Sequence, residues 1–223
     1  MPEEKQSRLL IAGFLASALT LIFFGWLTRV VLAGESLKFD LRVREAIHSL
    51  ASGPLTNVML VVTQLGSSLV LVPLGGLLIW RLLAADRKRA ALIFIAACVG
   101  AAALSEVLKL AFRRTRPLAY FGYAEPTTYS FPSGHSIMSA CFYGIVAAVL
   151  TANIQSRGKR AAIWVGAVLM ALSIGFSRVY LGVHYPTDVL AGYATAVIWV
   201  GTVRAGYEVW RRRRRKRSQR LPE

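Results

Sequence analysis

Residues Ser130–Thr151 read SFPSGHSIMSACFYGIVAAVLT, a turn of serine, proline, glycine and histidine set directly before an apolar run. No charged residue interrupts the run from Ser136 to Thr151, and Pro132-Ser133-Gly134 breaks the chain at its mouth. The pattern is a helix start. Ser133 suits a cap, Gly134 lets backbone come close to a ligand, and the free N–H groups of a first turn attract anions. His135 projects from that turn. So apolar a helix needs apolar surroundings, and so polar a mouth needs a partner.

The surroundings follow from composition. The chain has 223 residues, of which 55% are hydrophobic and 17% charged, and its mean hydropathy is +0.50. It is too apolar for a soluble domain and reads as one membrane-embedded domain, 1–223. Six apolar segments approach the roughly 20 residues that a bilayer demands: Leu9–Leu32, Leu55–Trp80, Ala90–Phe112, Ser136–Thr151, Ala161–Phe176 and Val189–Trp210. The fold class is therefore all-α and polytopic. The fourth and fifth segments are short and should either extend into their flanks or tilt little. The first is read as a mature helix rather than a signal peptide, because five further spans follow. Cys98 and Cys141 lie in apolar stretches, as buried thiols rather than a disulfide.

A net charge of +16 invites a nucleic-acid reading, but the basic residues sit in short clusters between spans. Lys5 and Arg8, then Arg81 with Arg87-Lys88-Arg89, then Arg157, Lys159 and Arg160, and finally the basic tail 211–223 all fall on one side of a six-span chain. Positive charge marks that side as cytoplasmic, with both termini inside. The tail is read as an anchor that attracts anionic head groups, with no nucleic-acid partner. On the other side, Val43, Ile47, Leu50 and Ala51 recur at helical spacing beside Arg42, Arg44 and Glu45, as expected of an interfacial amphipathic helix. His48 is expected at the surface.

Arg113, Arg114, Arg116 and Arg178 defy the charge rule by standing outside, so they need another purpose. In KLAFRRTRP, Lys109 and Arg116 lie two helical turns apart, on one face if the helix continues to Pro117. Lys109 is an ammonium inside the membrane boundary, with Glu106 one turn away as its partner. In SRVYLGVHYPTD, Arg178 follows the fifth span, and His184 and Asp188 are four residues apart. The Asp188 carboxylate then accepts a hydrogen bond from one ring nitrogen of His184, leaving the other as a nucleophile. Lys109, Arg116 and Arg178 offer three cations to a tetrahedral dianion. His184 is placed to attack phosphorus, and His135 to protonate the leaving oxygen and later activate water. The nearby carboxylates (Asp188, Glu106, Glu125) have no metal-ligand spacing, so no metal or other cofactor is called for.

These three stretches resemble the signature of the type 2 phosphatidic acid phosphatases, which are related to the vanadium haloperoxidases. That signature runs lysine, six residues, Arg-Pro; Pro-Ser-Gly-His; and Ser-Arg, five residues, His, three residues, Asp. It is matched by Lys109…Arg116-Pro117, Pro132-Ser133-Gly134-His135 and Ser177-Arg178…His184…Asp188. The resemblance implies a six-span membrane protein around an acid phosphatase/haloperoxidase-like helical core. It also implies metal-independent hydrolysis of a lipid phosphate through a phosphohistidine. His184 is then the nucleophile, Asp188 its orienting partner and His135 the acid and base. Lys109, Arg116, Ser133, Gly134 and Arg178 hold the phosphate. The partners are a lipid phosphate and the bilayer. The location is a bacterial plasma (inner) membrane with the site on the extracytoplasmic face. Arg113 and Arg114 tilt the substrate slightly from phosphatidic acid or phosphatidylglycerol phosphate toward undecaprenyl pyrophosphate, by offering cations to a second phosphate. A non-hydrolysing lipid-phosphate carrier is the alternative, but it would need only the cations. A vanadate-dependent haloperoxidase is disfavoured by the six spans.

Overall fold

The computed structural model describes residues 2–123 and 127–218. Among these the regular structure is helical throughout: α1 (Pro2–Leu32), α2 (Leu37–His48), α3 (Gly53–Gln64), α4 (Ser68–Ala84), α5 (Lys88–Phe112), α6 (Gly134–Thr151), α7 (Arg157–Tyr180) and α8 (Pro186–Ser218). Helices α1, α5, α6, α7 and α8 are long and apolar enough to cross a membrane, and α4 is a shorter apolar helix. Glu125 and the end of the basic tail, 219–223, lie outside the described residues.

Helix α6 is the centre. It packs on α5, α7 and α8, while α1 lies along α8 and α3 along α7. Small residues make the approach possible. Ala101 of α5 and Ala196 of α8 are buried with Ile137 and Cys141 of α6 in one cluster, as expected where helices associate without a hydrophobic driving force. Large side chains such as Leu19, Leu69, Val99 and Val165 face outward, as the lipid-facing side of a span requires. Cys98 and Cys141 are free thiols.

The boundaries differ from the sequence expectation in three informative places. The expected span Leu55–Trp80 is two helices, α3 and α4, parted at Leu65–Ser67. Gly66 makes the break fit. A Cβ there would stand 2.5 Å from Ile174 Cγ2 and 3.2 Å from His135 Cδ2. The fifth span runs on through Ser177 and Arg178 to Tyr180, so Arg178 belongs to the last turn of α7 and not to the following turn. Helix α5, in contrast, ends early. Arg113 takes a left-handed conformation, φ 49°, and its N–H bonds Lys109 O. Lys109 and Arg116 are therefore not on one continuous helix.

Helix α2 forms where the amphipathic helix is expected, but its inward face is charged. Asp40 and Arg44 are buried while Leu37, Phe39 and Leu41 are exposed. His48 is half-buried, stacked on Tyr120 with ring centroids 3.9 Å apart, rather than at the surface. Arg44 explains part of this inversion. Its guanidinium donates to Leu118 O and Gly182 O, tying α2 to the two loops that carry the basic and histidine stretches.

Candidate active site

The SFPSGHS turn is fixed by its own residues. Phe131 is fully buried in a slot formed by Leu27 and Val31 of α1 and Ala191 of α8, with Phe112 edge-on at 5.4 Å. Ser130 N donates to Arg114 O, and Ser130 Oγ to Thr115 O. Ser133 N donates to Asp188 O at 2.9 Å, which pins the start of α6 to the first turn of α8. Gly192 permits that contact, since a Cβ there would come within 2.7 Å of Ser136 Cβ and 2.8 Å of Ser133 O.

The mouth of α6 meets the end of α5. A Cβ on Gly134 would lie 3.4 Å from Lys109 Nζ and 3.1 Å from Ser105 Oγ. The glycine thus lets the ammonium sit against the helix start. Lys109 is buried and paired with Glu106 at 2.7 Å, as the spacing suggests. Ser133 is the N-cap residue, but its side chain makes no cap bond. Its Oγ and Arg178 Nε are buried polar atoms without a hydrogen-bond partner among the described residues. Such atoms are uncommon in folded proteins and call for a partner, which a bound ligand or an ordered water can supply. Arg178 is anchored through Nη1, which donates to Thr63 Oγ1 at 2.7 Å and to Tyr123 Oη at 3.2 Å. Thr63 lies in the last turn of α3, just before the break at Leu65–Ser67.

His184 lies in the short connection between α7 and α8 and is almost wholly buried. Its Nδ1 faces Asp188 Oδ2 at 3.3 Å, and its Nε2 faces Arg116 Nη1 at 3.2 Å. With Nδ1–H donating to the carboxylate, Nε2 carries the lone pair and points toward a guanidinium that would also grip an anion. Burial pushes the His184 pKa down to about 4, against the opposite pull of Asp188, so the imidazole is neutral near pH 7. Arg116 is held by Val183 O, Thr128 O and Tyr129 O. His135, on the first turn of α6, stands within coulombic reach of Arg178, His184, Lys109 and Arg116. The residues named from the sequence thus converge at one end of the bundle.

Arg114 departs from its expected role. Its Nη1 donates to Asp188 Oδ1 at 2.6 Å and to Thr187 Oγ1 at 2.8 Å, and its Nη2 to Asp40 Oδ2 at 2.7 Å. Burial lowers its pKa, but the Asp188 and Asp40 carboxylates outweigh that and hold it above the ordinary arginine value. Arg114 and Arg116, two apart in the extended segment after α5, reach opposite ends of the His184–Asp188 pair. Asp40 is the residue that sequence reasoning missed. It is fully buried and also accepts from Ser36 Oγ, Thr187 N and Thr187 Oγ1. The signal available was an acidic residue on the helix whose charged face was assigned to water. No group of three or more His, Cys, Asp or Glu side chains suited to a metal ion forms among the described residues.

Cations around a buttressed, neutral histidine at the end of a membrane-spanning helical bundle are an arrangement able to hold a phosphate beside a nucleophile. Known proteins narrow the class. The model of the PAP2 superfamily matches residues 90–212. Phosphatidylglycerophosphatase B of Bacillus subtilis is 32% identical over 168 residues, covering 73% of this chain and 80% of that protein. Undecaprenyl-diphosphatase of Sulfolobus acidocaldarius is 28% identical over 164 residues, covering 71% and 74%. The crystal structure of a transmembrane PAP2-type phosphatidylglycerolphosphate phosphatase from Bacillus subtilis superposes with a TM-score of 0.79 at 28% identity, covering 86% of this chain and 96% of that one. The chain belongs to the PAP2 superfamily, and it is an integral membrane protein of the phosphatase class.

Proposed function

We propose that this chain removes the terminal phosphate of a membrane lipid in two displacements at His184, without a metal ion. The observation that carries the reading is the state of His184: Nδ1 on Asp188, Nε2 beside Arg116 and a pKa near 4. In the first displacement the Nε2 lone pair forms the N–P bond. The P–O bond to the lipid breaks, and His135 gives its proton to the departing oxygen. The bound dianion favours the charged form of His135 needed for this step. In the second, His135 takes a proton from water, the hydroxide forms a P–O bond, and the N–P bond breaks to release phosphate. Lys109, Arg116 and Arg178 carry the charge that builds on the phosphoryl oxygens, with Ser133 Oγ and the Gly134 backbone as neutral donors.

Arg114 is engaged by two carboxylates, which removes part of the case for a diphosphate. Arg113 is exposed and remains the cation of this stretch open to a second phosphate. The reading therefore takes a phosphate monoester, as in phosphatidic acid or phosphatidylglycerol phosphate, ahead of undecaprenyl pyrophosphate. The name of the relative from Bacillus subtilis supports the first choice and that of the relative from Sulfolobus acidocaldarius the second. The basic clusters at the α4–α5 and α6–α7 turns support a site on the extracytoplasmic face of a plasma membrane, with both termini cytoplasmic.

The test is phosphate release by the purified full chain in detergent, across these three lipids, with and without EDTA. Turnover that persists in EDTA, is blocked by vanadate and is lost in His184→Ala is expected. Turnover that needs a divalent ion or survives that substitution refutes the reading. Lipid binding with no turnover on any of the three points to a carrier.

A further inference from the structure

We propose that Arg114 and Asp40 are positioning residues for the reaction: Asp40 on α2 holds Arg114, and Arg114 holds Asp188 against His184. The inference rests on His184 being the nucleophile. Asp188 is fully buried, and its carboxylate is held by protein donors. One oxygen, Oδ2, accepts from His184 Nδ1 and from Tyr185 N. The other, Oδ1, accepts from Arg114 Nη1 at 2.6 Å. Arg114 thus keeps Oδ2 turned toward the imidazole and places a cation against the buried carboxylate.

Arg114 is itself held on three sides. Nη2 reaches Asp40 Oδ2, Nη1 also reaches Thr187 Oγ1, and the guanidinium lies 4.1 Å from the centre of the Tyr185 ring. Asp40 does more than balance charge. Its Oδ1 accepts Thr187 N–H at the start of α8 and its Oδ2 accepts Thr187 Oγ1, so the helix turn that bears Asp188 is tied to the same carboxylate. Lysine cannot copy this bridge. Its single ammonium is a point charge, whereas the planar guanidinium serves two carboxylates at fixed angles. Arg44, one turn after Asp40, fastens α2 to the loops on either side through Leu118 O and Gly182 O. Helix α2 is therefore a strap across the site, and Asp40 precedes the region matched by the family model.

The experiment measures kcat, KM, inhibition by inorganic phosphate and Tm for the full chain in detergent, with short-chain phosphatidic acid as substrate. The variants are Arg114→Lys, Arg114→Gln and the double variant Asp40→Asn/Arg114→Gln. Arg114→Lys is expected to lower kcat about 10–100-fold, by analogy with the outer partners that orient metal-binding histidines, while KM and phosphate inhibition change less than about threefold. Arg114→Gln takes the buried cation from both Asp40 and Asp188 and should lower Tm. The double variant removes one of those two charges, so Tm should recover in part while kcat stays low. Recovery of kcat together with Tm would mean that the residues serve folding alone. Losses in KM and phosphate inhibition rather than kcat would mean that Arg114 meets the substrate. Either result overturns the proposal, and full activity of His184→Ala would instead overturn the reading beneath it.

Discussion

Replacing Asp188 by asparagine tests the site with almost no change of shape. Asp188 has no solvent exposure and is bonded to His184, Tyr185 N and Arg114. Asparagine presents one carbonyl oxygen and one amide, so one of its two faces must meet a donor with a donor. If the amide faces Arg114, a buried cation loses an acceptor. If it faces His184, the proton moves to Nε2 and the nucleophilic lone pair is lost. The loss of an orienting carboxylate from a catalytic histidine costs up to about 10⁴-fold in rate elsewhere, and the expectation here is a fall in kcat of about 10²–10⁴-fold. Removing one partner of a buried ion pair costs about 3–5 kcal/mol. Asp40 remains on Arg114 at 2.7 Å, so the loss should fall at the lower end, about 3 kcal/mol or less. Phosphate release from short-chain phosphatidic acid and thermal unfolding in detergent read the two effects separately. A variant that keeps more than about a tenth of wild-type kcat while staying folded would refute the orienting role, since that loss is below any expected for a displaced tautomer.

Further substitutions probe the phosphate cradle and the pH response. Gly134→Ala places a methyl 3.1 Å from Ser105 Oγ and 3.4 Å from Lys109 Nζ, so it should raise KM and weaken phosphate inhibition, measured by steady-state kinetics. Arg178→Lys retains the charge but loses the Nε donor and the Thr63 and Tyr123 anchors, and kcat/KM should drop at least about tenfold because the two cations are not interchangeable at a multidentate site. The His184 pKa is depressed from 6.5 to about 4 by burial, so the fold refuses a proton that the unfolded chain accepts. The stability from its neutral form is complete above about pH 6.5 and is lost as pH falls toward 4. Thermal unfolding at pH 7 and pH 5 should show a smaller acid-induced drop in His184→Gln than in wild type. An equal drop would remove His184 as the source.

The motif residues were legible because each carries its reason locally. Pro132-Ser133-Gly134 announces a helix start, and the i,i+4 spacing of His184 and Asp188 is enough to place one against the other. The apolar runs likewise announced the spans. What escaped depends on partners far along the chain. Asp40 lies 74 residues from Arg114 and 147 from Thr187, and without them the charged face of α2 looks like a water-facing one. The end of α5 was misjudged for a related reason. Pro117 restricts only Arg116, whereas the left-handed Arg113 ends the helix earlier and turns Arg114 toward Asp188. The division of the second apolar run into α3 and α4 carries no proline or charge as a marker. It is fixed by the closeness of Ile174 and His135 to Gly66.

The central claim is that His184 forms a covalent bond to phosphorus. Rapid acid-free quenching of the full chain during turnover of ³²P-labelled phosphatidic acid, followed by peptide mapping, measures it directly. The account predicts a base-stable, acid-labile phosphoryl group on the peptide containing His184, absent in His184→Ala. Turnover without label on His184, or label on another residue, would contradict it.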